Sequence, residues 1–228
     1  MNATGSVAQD AGQVIAQCLP LPQRVGVFGG SFDPPHVAHR ELAEAALAQL
    51  GLDVLHIMPT GQAWHKARQL SAAEHRLAMC ELAFGDLQKV RIDPRETLRE
   101  GPSYTADTLA ELAAQYPGAE LYVVLGADQL LAFKTWKRWA EVLDLATLAV
   151  AQRPVSDPTG PPGAAQAADF SAVEVPFVAL AMPLHHISAT AIRARASTAN
   201  GQGPDFDRLV SDGVASYIST YSLYQDPT

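Results

Sequence analysis

The feature that most constrains the fold is a strand, a glycine-rich turn and a helix that follow one another within residues 24–50. Val25 to Phe28 is a short apolar run of the kind that buried parallel strands show. The run ends at Gly29-Gly30, and apolar residues then recur at helical spacing from about His36 to Gly51. A helix that begins this way has unpaired backbone N–H groups at the positive end of its dipole. The stretch therefore predicts a phosphate site.

Two histidines lie where this predicted helix starts. His36 and His39 are three residues apart, which places both on one face of the first turn. Imidazoles there can donate hydrogen bonds to phosphate oxygens, and Gly29 and Gly30 let the backbone approach a ligand closely. General chemistry leaves open an ordinary turn with two surface histidines. It also leaves open a zinc site, although no third ligand is evident.

Composition and charge narrow the class of protein. A length of 228 residues with 48% apolar and 18% charged residues is typical of one folded domain, which we place at residues 23–228. The formal net charge of −8 argues against a general partner of nucleic acid or of a membrane surface. Cys18 and Cys80 give neither a disulfide framework nor zinc-ligand spacing. With no signal sequence and no apolar stretch of ~18 residues, the chain is expected to be cytoplasmic.

Predicted strands alternate with predicted helices along the chain. This order predicts an α/β fold, a doubly wound Rossmann-like parallel sheet with helices on both faces and a small C-terminal helical part. Strands are predicted at 25–28, 52–58, 89–92, 121–125, 147–151 and 177–182. Helices are predicted from a capping box at Ser71 to Phe84, after Ser103, around Trp136 and Trp139, after Ser188, and within 206–224. We expect residues 1–22 to be a flexible extension and the Pro- and Gly-rich residues 153–176 to be a surface loop.

The first motif resembles that of a known superfamily. Gly29 to His39, GGSFDPPHVAH, resembles the GGSFDPxHxGH signature of nucleotidyltransferases that carry an HxGH motif, with Ala38 in place of the glycine between the histidines. Other segments, in the same order, are similar to those of nicotinate-nucleotide adenylyltransferases over roughly residues 24–225. These segments are 59–66, 74–79, 101–109, 126–129 with Trp136 and Trp139, 187–193 and 214–224.

The resemblance implies a reaction and its partners. ATP and nicotinate mononucleotide would give deamido-NAD and pyrophosphate, by direct in-line attack of the mononucleotide phosphate on the α-phosphorus without a covalent enzyme intermediate. Mg²⁺ would be bound mainly through the ATP phosphates, since the sequence has no carboxylate cluster with metal-ligand spacing. Neither nucleic acid nor a membrane is expected as a partner.

The resemblance also implies roles for individual residues. His36 and His39 would be catalytic. ATP would be bound by these two and by Gly29, Gly30, Ser31, Phe32, Gly126, Asp128, Ser188, Thr190 and Arg193. Nicotinate mononucleotide would be bound by Lys66, Ser103, Tyr104, Thr105 and Trp136, with residues 103–105 meeting the nicotinate carboxylate. Simpler roles stay open: a solvated Lys66, helix caps at Ser103 or Thr105, Asp128 and Ser188, a buried Trp136 and a surface Arg193.

Two other functions remain to be weighed. Sister adenylyltransferases act on phosphopantetheine or on nicotinamide mononucleotide. The phosphopantetheine enzymes typically have Thr in place of the first histidine, so His36 argues against that substrate. Nicotinamide mononucleotide stays open as a substrate, because an amide and a carboxylate can share one pocket. A non-catalytic nucleotide-binding protein would be expected to have lost His36, His39 or Arg193, and all three are present. Pyrophosphate release distinguishes the enzyme from the binding protein.

Overall fold

The computed structural model describes residues 21–61, 70–151, 155–156, 165–166, 170, 173–183, 187–198, 206 and 208–225. The predicted extension lies outside the described residues except for Leu21 and Pro22, as does most of the predicted 153–176 loop. The strands are β1 (Arg24–Gly30), β2 (Val54–Pro59), β3 (Val90–Ile92), β4 (Glu120–Gly126), β5 (Thr147–Ala151), β6 (Val155–Ser156), β7 (Ala165–Gln166) and β8 (Phe177–Leu180). The helices are α1 (Val37–Gln49), α2 (Ala73–Phe84), α3 (Arg95–Leu98), α4 (Thr105–Gln115), α5 (Ala127–Leu131), α6 (Trp139–Leu145), α7 (Ala189–Ala196) and α8 (Asp212–Thr220), with a short 3₁₀ turn at Phe133–Thr135.

Six of the strands form one parallel sheet in the order β3-β2-β1-β4-β5-β8. The chain runs outward from β1 to β3, returns to the centre at β4 and continues outward on the other side. This is the doubly wound order, so the predicted fold class is confirmed. β6 and β7 form a separate antiparallel pair within the residues expected to be a surface loop.

Side chains that alternate along the central strands build a core on each face of the sheet. Phe28 of β1 packs in one core, with α1, α2 and α8, whereas Val25 and Val27 pack in the other, with α4 and α6. All of β2 is buried. Burial on both faces is why these strands read as continuous apolar runs, and each buried Leu, Ile or Phe contributes roughly 2 kcal/mol to the free energy of unfolding.

Local patterns were less reliable for short helices and caps. The capping box predicted at Ser71 is wrong: α2 begins after Ala72 without a side-chain cap, and the Ser71 amide donates instead to Asp33 Oδ2 at 3.3 Å. The four-residue α3 was not predicted. The helical region predicted around the two tryptophans is divided, with Trp136 between the 3₁₀ turn and α6.

Within the part of the chain that the structure describes, no helix is long and apolar enough to cross a membrane. The cytoplasmic location expected from the sequence stays a prediction.

Candidate active site

The two central strands of the sheet separate at their carboxyl ends. β1 stays paired with β2 up to Gly30 opposite Pro59, but its pairing with β4 ends at Val27 opposite Val123. β4 meanwhile follows β5 as far as Gly126. A crevice therefore opens between Gly29-Gly30 on one side and Gly126 on the other. It lies where the strand order reverses, which is where ligands of doubly wound sheets bind.

The glycines at this crevice differ in what they permit. A Cβ built on Gly29 or Gly126 would meet nothing within 4 Å, so both backbones border open space. A Cβ on Gly30 would lie 3.0 Å from the ring of Phe32. Gly29 and Gly126 can therefore approach a ligand, whereas Gly30 is needed for packing against the turn.

Phe32 serves the core as well as the turn. Its backbone is left-handed, with φ +44°, and its ring is 1% exposed. The ring packs edge-on against Phe28 and Phe84, with centroids 5.4 and 5.7 Å away, and at 5.2 Å from the ring of His39. Because the Phe32 side chain is part of the core, only its backbone can make the predicted contact with ATP, and that contact stays a prediction.

His36 and His39 are held in one arrangement at the start of α1. His36 is the N-cap residue, with extended backbone, and its ring stacks on that of His39 with centroids 3.6 Å apart and planes at 22°. The His36 amide donates a 3.2 Å hydrogen bond to Nδ1 of His39. A neutral imidazole whose Nδ1 accepts a bond carries its proton on Nε2. The cap therefore fixes His39 in the tautomer that donates from Nε2.

The first-turn amides of α1 are already partly occupied. The Val37 amide donates to the carbonyl of Leu209 at 3.0 Å, and the His39 amide donates to the His36 carbonyl at 2.8 Å. Ala38, which replaces the motif glycine, is only 4% exposed. The histidine side chains, rather than the amides of Val37 and His39, are thus the donors that this helix start can offer to a phosphate.

Arg193 joins the last predicted motif to the first. Its Nη1 donates to the Asp33 carbonyl at 2.8 Å and its Nη2 donates to Thr190 Oγ1 at 3.1 Å. The predicted cap at Ser188 is confirmed, since its Oγ accepts the Ala191 amide at 3.2 Å. The structure thus brings the start of α7 against the turn that precedes His36.

The segment predicted to bind the nicotinate carboxylate lies at the start of α4. Tyr104 is the N-cap residue and makes no side-chain cap, so the caps considered at Ser103 and Thr105 are wrong. Ser103 Oγ instead donates to the Glu96 carbonyl at 3.2 Å, and Thr108 Oγ1 donates to the Glu96 carboxyl at 2.9 Å. Burial raises the pKa of Glu96. Glu96 of α3 therefore holds Ser103 and the first turn of α4 in place through these two hydrogen bonds.

Of the remaining predicted residues, two lie in the segment that follows β4 and one lies outside the described residues. Trp136 is half-buried, with its ring 5.4 Å from that of Phe133. Asp128 is exposed in the first turn of α5. Arg138, two residues after Trp136, has a left-handed backbone and donates to Asp107 of α4, which ties the tryptophan turn to the segment of Ser103. Lys66 lies outside the described residues.

Sequence reasoning assigned no role to three buried or half-buried residues at this site. Asp33 is fully buried, Arg76 is 3% exposed and donates to the Ser31 carbonyl at 3.1 Å, and the Tyr224 hydroxyl donates to Asp33 Oδ1 at 2.8 Å. Asp33 stands inside the glycine-rich turn and could have been singled out there. Arg76 and Tyr224 lie in the family-like segments 74–79 and 214–224, but the sequence does not indicate their partners, which lie 45 and 191 residues away.

Among the described residues, no group of three or more His, Cys, Asp and Glu side chains is arranged to hold a metal ion. The described residues thus provide no third ligand for the zinc alternative considered for the two histidines.

The chain is similar to known proteins over most of its length. Residues 27–195 match the family described as cytidylyltransferase-like, so the chain is a nucleotidyltransferase by class. A probable nicotinate-nucleotide adenylyltransferase of Albidiferax ferrireducens is 50% identical over 204 residues, which cover 89% of this chain and 98% of that protein. One from Methylibium petroleiphilum is 41% identical over 208 residues, covering 90% and 94%. The chain belongs to the nicotinate-nucleotide adenylyltransferase family.

Solved structures show the same fold at low identity. The nicotinic acid mononucleotide adenylyltransferase of Plasmodium falciparum complexed with NaAD superposes with a TM-score of 0.67 at 16% identity, covering 89% of this chain and 97% of that one. The same enzyme complexed with APC gives a TM-score of 0.65 at the same identity and coverage.

Proposed function

We propose that this protein transfers the adenylyl group of ATP to nicotinate mononucleotide, giving deamido-NAD and pyrophosphate in NAD biosynthesis. The observation that carries the proposal is the stacked pair His36 and His39 at the crevice between β1 and β4, with Arg193 held against the same turn. Family membership at 50% identity supports the same activity.

The mechanism we propose is a direct in-line displacement. The mononucleotide phosphate is already an anion, so it attacks the α-phosphorus of ATP without first forming a covalent link to the enzyme, and pyrophosphate leaves on the opposite side. The protein's task is then to align the two phosphates and to stabilise the charge that builds up between them. Glycines 29 and 126, which border open space, let the two substrates lie against the backbone.

The histidines and the arginine would supply the charge stabilisation. The Nε2–H of His39, fixed by the bond that Nδ1 accepts, is aimed as a donor before ATP arrives, which lowers the cost of reorganisation. The ring of His36 stacks on that of His39, with the two ring centroids 3.6 Å apart, and we assign it to the same phosphates. Arg193 and the helix start at Ser188 are assigned to the triphosphate.

Magnesium is proposed to enter with ATP, bound mainly by phosphate oxygens and water. This fits the donor set, because the described residues present no cluster of oxygen ligands and Asp33 already accepts bonds from Tyr224 and Ser71. When bound, the ion would neutralise charge on the triphosphate and favour the departure of pyrophosphate.

The second substrate is assigned to the start of α4 and to the turn that carries Trp136. We propose that Ser103, Tyr104 and Thr105 meet the nicotinate carboxylate at the start of α4, where the helix dipole favours an anion. Trp136 would stack on the pyridine ring, and Lys66 would add a cation on the phosphate side. The link from Arg138 to Asp107 holds the tryptophan turn and the α4 start together.

An isotope-exchange experiment tests the mechanism. Labelled pyrophosphate is incubated with ATP, magnesium and enzyme, with and without nicotinate mononucleotide. Direct attack predicts that label appears in ATP only when the mononucleotide or deamido-NAD is present. Exchange with ATP alone would reveal an adenylyl-enzyme and contradict the mechanism.

A further inference from the structure

The C-terminal residues 208–225 contact both the turn between β1 and α1 and the first residue of α1. Within the turn, the Tyr224 hydroxyl donates to Asp33 Oδ1 at 2.8 Å. Where α1 begins, the Leu209 carbonyl accepts the Val37 amide at 3.0 Å. The residues that carry His36 are thus bracketed by a segment that lies far away in the sequence.

Asp33 is the residue on which the contacts of this turn converge. Its side chain is fully buried, and its Oδ2 accepts the Ser71 amide at 3.3 Å in addition to the bond from Tyr224. Its carbonyl accepts Arg193 Nη1 at 2.8 Å, and the charge of the buried Arg76 acts on its carboxylate. A buried carboxylate is costly unless donors surround it, so each of these contacts constrains where the turn can lie.

The environment of Tyr224 keeps its hydroxyl protonated, so that it can donate to Asp33. Burial and the neighbouring Asp33 carboxylate raise the pKa of the Tyr224 hydroxyl above its usual range, so it keeps its proton. The backbone is left-handed at both Ser222 and Tyr224, with φ +48° and +67°. Such conformations in residues other than glycine persist where surrounding contacts outweigh the strain. The left-handed backbone at residues 222 and 224 therefore accompanies the contact of the Tyr224 hydroxyl with the turn.

We propose that Tyr224 is a positioning residue for adenylyl transfer, whose hydrogen bond to Asp33 fixes the turn and so holds His36 and His39 in place for the ATP phosphates. The inference rests on the proposed function of the two histidines. His36 is only three residues beyond Asp33 and its amide fixes the ring of His39, so a shift of the turn passes directly to both imidazoles. A displacement of about 1 Å in such a group can cost up to ~100-fold in rate.

The first test removes only the hydroxyl. Tyr224→Phe is compared with Tyr221→Phe, a matched change in the same segment, because Tyr221 is 54% exposed and contacts the ring of His75 instead of the turn. We expect Tyr224→Phe to lower kcat by roughly 10- to 100-fold, with the KM for nicotinate mononucleotide unchanged and the melting temperature within a few degrees of wild type. Tyr221→Phe should keep the wild-type kcat.

A second measurement determines the tautomer of His39 in the absence of substrate. Nitrogen-15 NMR of histidine-labelled protein, assigned with a His39→Ala variant, reports which ring nitrogen of His39 carries the proton. Wild type and Tyr221→Phe should show the Nε2–H tautomer alone. Tyr224→Phe should show a mixture of tautomers, because the bond from the His36 amide is then no longer held in place.

A double variant completes the test. If the two residues act through one bond, Asp33→Asn combined with Tyr224→Phe should lose no more activity than the worse single variant.

The outcomes are separable. A Tyr224→Phe enzyme with wild-type kcat and an unchanged His39 spectrum would overturn the proposal. So would a loss of activity that comes with a lower melting temperature but the wild-type tautomer, since Tyr224 would then only stabilise the fold. If wild type releases no pyrophosphate from ATP and nicotinate mononucleotide, the proposed function fails, and the NMR result still decides whether Tyr224 fixes the turn.

Discussion

At the scale of single residues, the proposed contacts with the ATP phosphates depend on how two imidazoles are oriented before any ligand binds. The sequence shows that His36 and His39 share a helix face, but the 3.6 Å stacking and the bond into Nδ1 of His39 follow from the extended backbone of the N-cap residue. The cap both begins the helix and selects the tautomer. One local contact therefore links the start of α1 to its chemistry.

Replacing His39 with alanine tests that link. His39→Ala removes the Nε2 donor and the bond that Nδ1 accepts from the His36 amide, so we expect turnover to fall by roughly 100- to 1,000-fold and the free energy of unfolding by about 1 kcal/mol. His75→Ala is the control, because His75 is also half-buried on a helix but contacts Tyr217 on the α2–α8 surface. Steady-state kinetics and urea unfolding of both variants give the comparison. Full activity in His39→Ala would rule out its assigned role.

The alanine between the histidines makes a different prediction. Ala38 is 4% exposed, so its methyl group packs against protein, and we expect that it does not obstruct a phosphate. Ala38→Gly, which restores the family motif, should leave the KM for ATP within about twofold and lower the free energy of unfolding by roughly 0.5–1 kcal/mol, because glycine is less favourable in a helix. A KM for ATP that falls tenfold in this variant would show that the methyl group does obstruct binding.

At the scale of helices and strands, a buried polar network supports the segment that we propose binds the nicotinate carboxylate. His56 of β2 is 2% exposed and its Nδ1 donates to Asp93 Oδ2 at 2.8 Å, while its Nε2 meets the hydroxyl of Tyr116 at 3.1 Å. Arg95 of α3 donates to both carboxylate oxygens of Asp93. The network joins the sheet to α3 and to Tyr116 at the end of α4. It therefore holds in place the two helices on either side of Ser103.

The pH dependence of stability tests this network. Burial alone would raise the pKa of Asp93, but the hydrogen bonds from His56 and Arg95 outweigh it and hold the pKa well below its usual range. A lowered folded-state pKa gives stability that is fully present above the unfolded value of about 4 and is lost as pH falls below it. Asp93→Asn should lower the free energy of unfolding by about 3 kcal/mol at pH 7, with the difference from wild type shrinking below pH ~4.

Urea titrations between pH 7 and about pH 3 measure that difference, with Asp144→Asn as a control at an exposed position. A difference that stays constant across this range would show that the Asp93 charge does not contribute through the network.

The same scale shows which elements the sequence could predict. Each of the six sheet strands was found with its ends shifted by at most two residues, because apolar runs buried on both faces and bounded by Gly or Pro carry their own signal. Ser188 was a correct cap because its bond to Ala191 is local. The Ser71 cap failed because the Ser71 amide is used by Asp33, 38 residues away. The four residues of α3 are too few to show a period, and its buried Glu96 is a residue that sequence reasoning places on the surface.

At the scale of the whole molecule, the fold gathers distant segments at one edge of the sheet. The point where β1 and β4 separate is bordered by residues 29–39 and by the end of β4. Hydrogen bonds tie the start of α7 and the C-terminal segment to Asp33 in that turn. The start of α4 is tied by Asp107 to Arg138, in the segment that follows β4. The family motifs identified most of these segments, because each motif is itself a strand end or a helix start. They did not predict the bonds from Arg76 and Tyr224 to the turn, which depend on contacts across 45 and 191 residues.

The central claim, adenylylation of nicotinate mononucleotide, is tested most directly by pyrophosphate release. Purified protein is given ATP and magnesium with nicotinate mononucleotide, nicotinamide mononucleotide or phosphopantetheine in parallel, and the dinucleotide product is identified. We expect rapid release with nicotinate mononucleotide, deamido-NAD as the product, and rates at least about 100-fold lower with the other two. A similar rate with nicotinamide mononucleotide would contradict the role given to residues 103–105. No release with nicotinate mononucleotide would contradict the account as a whole.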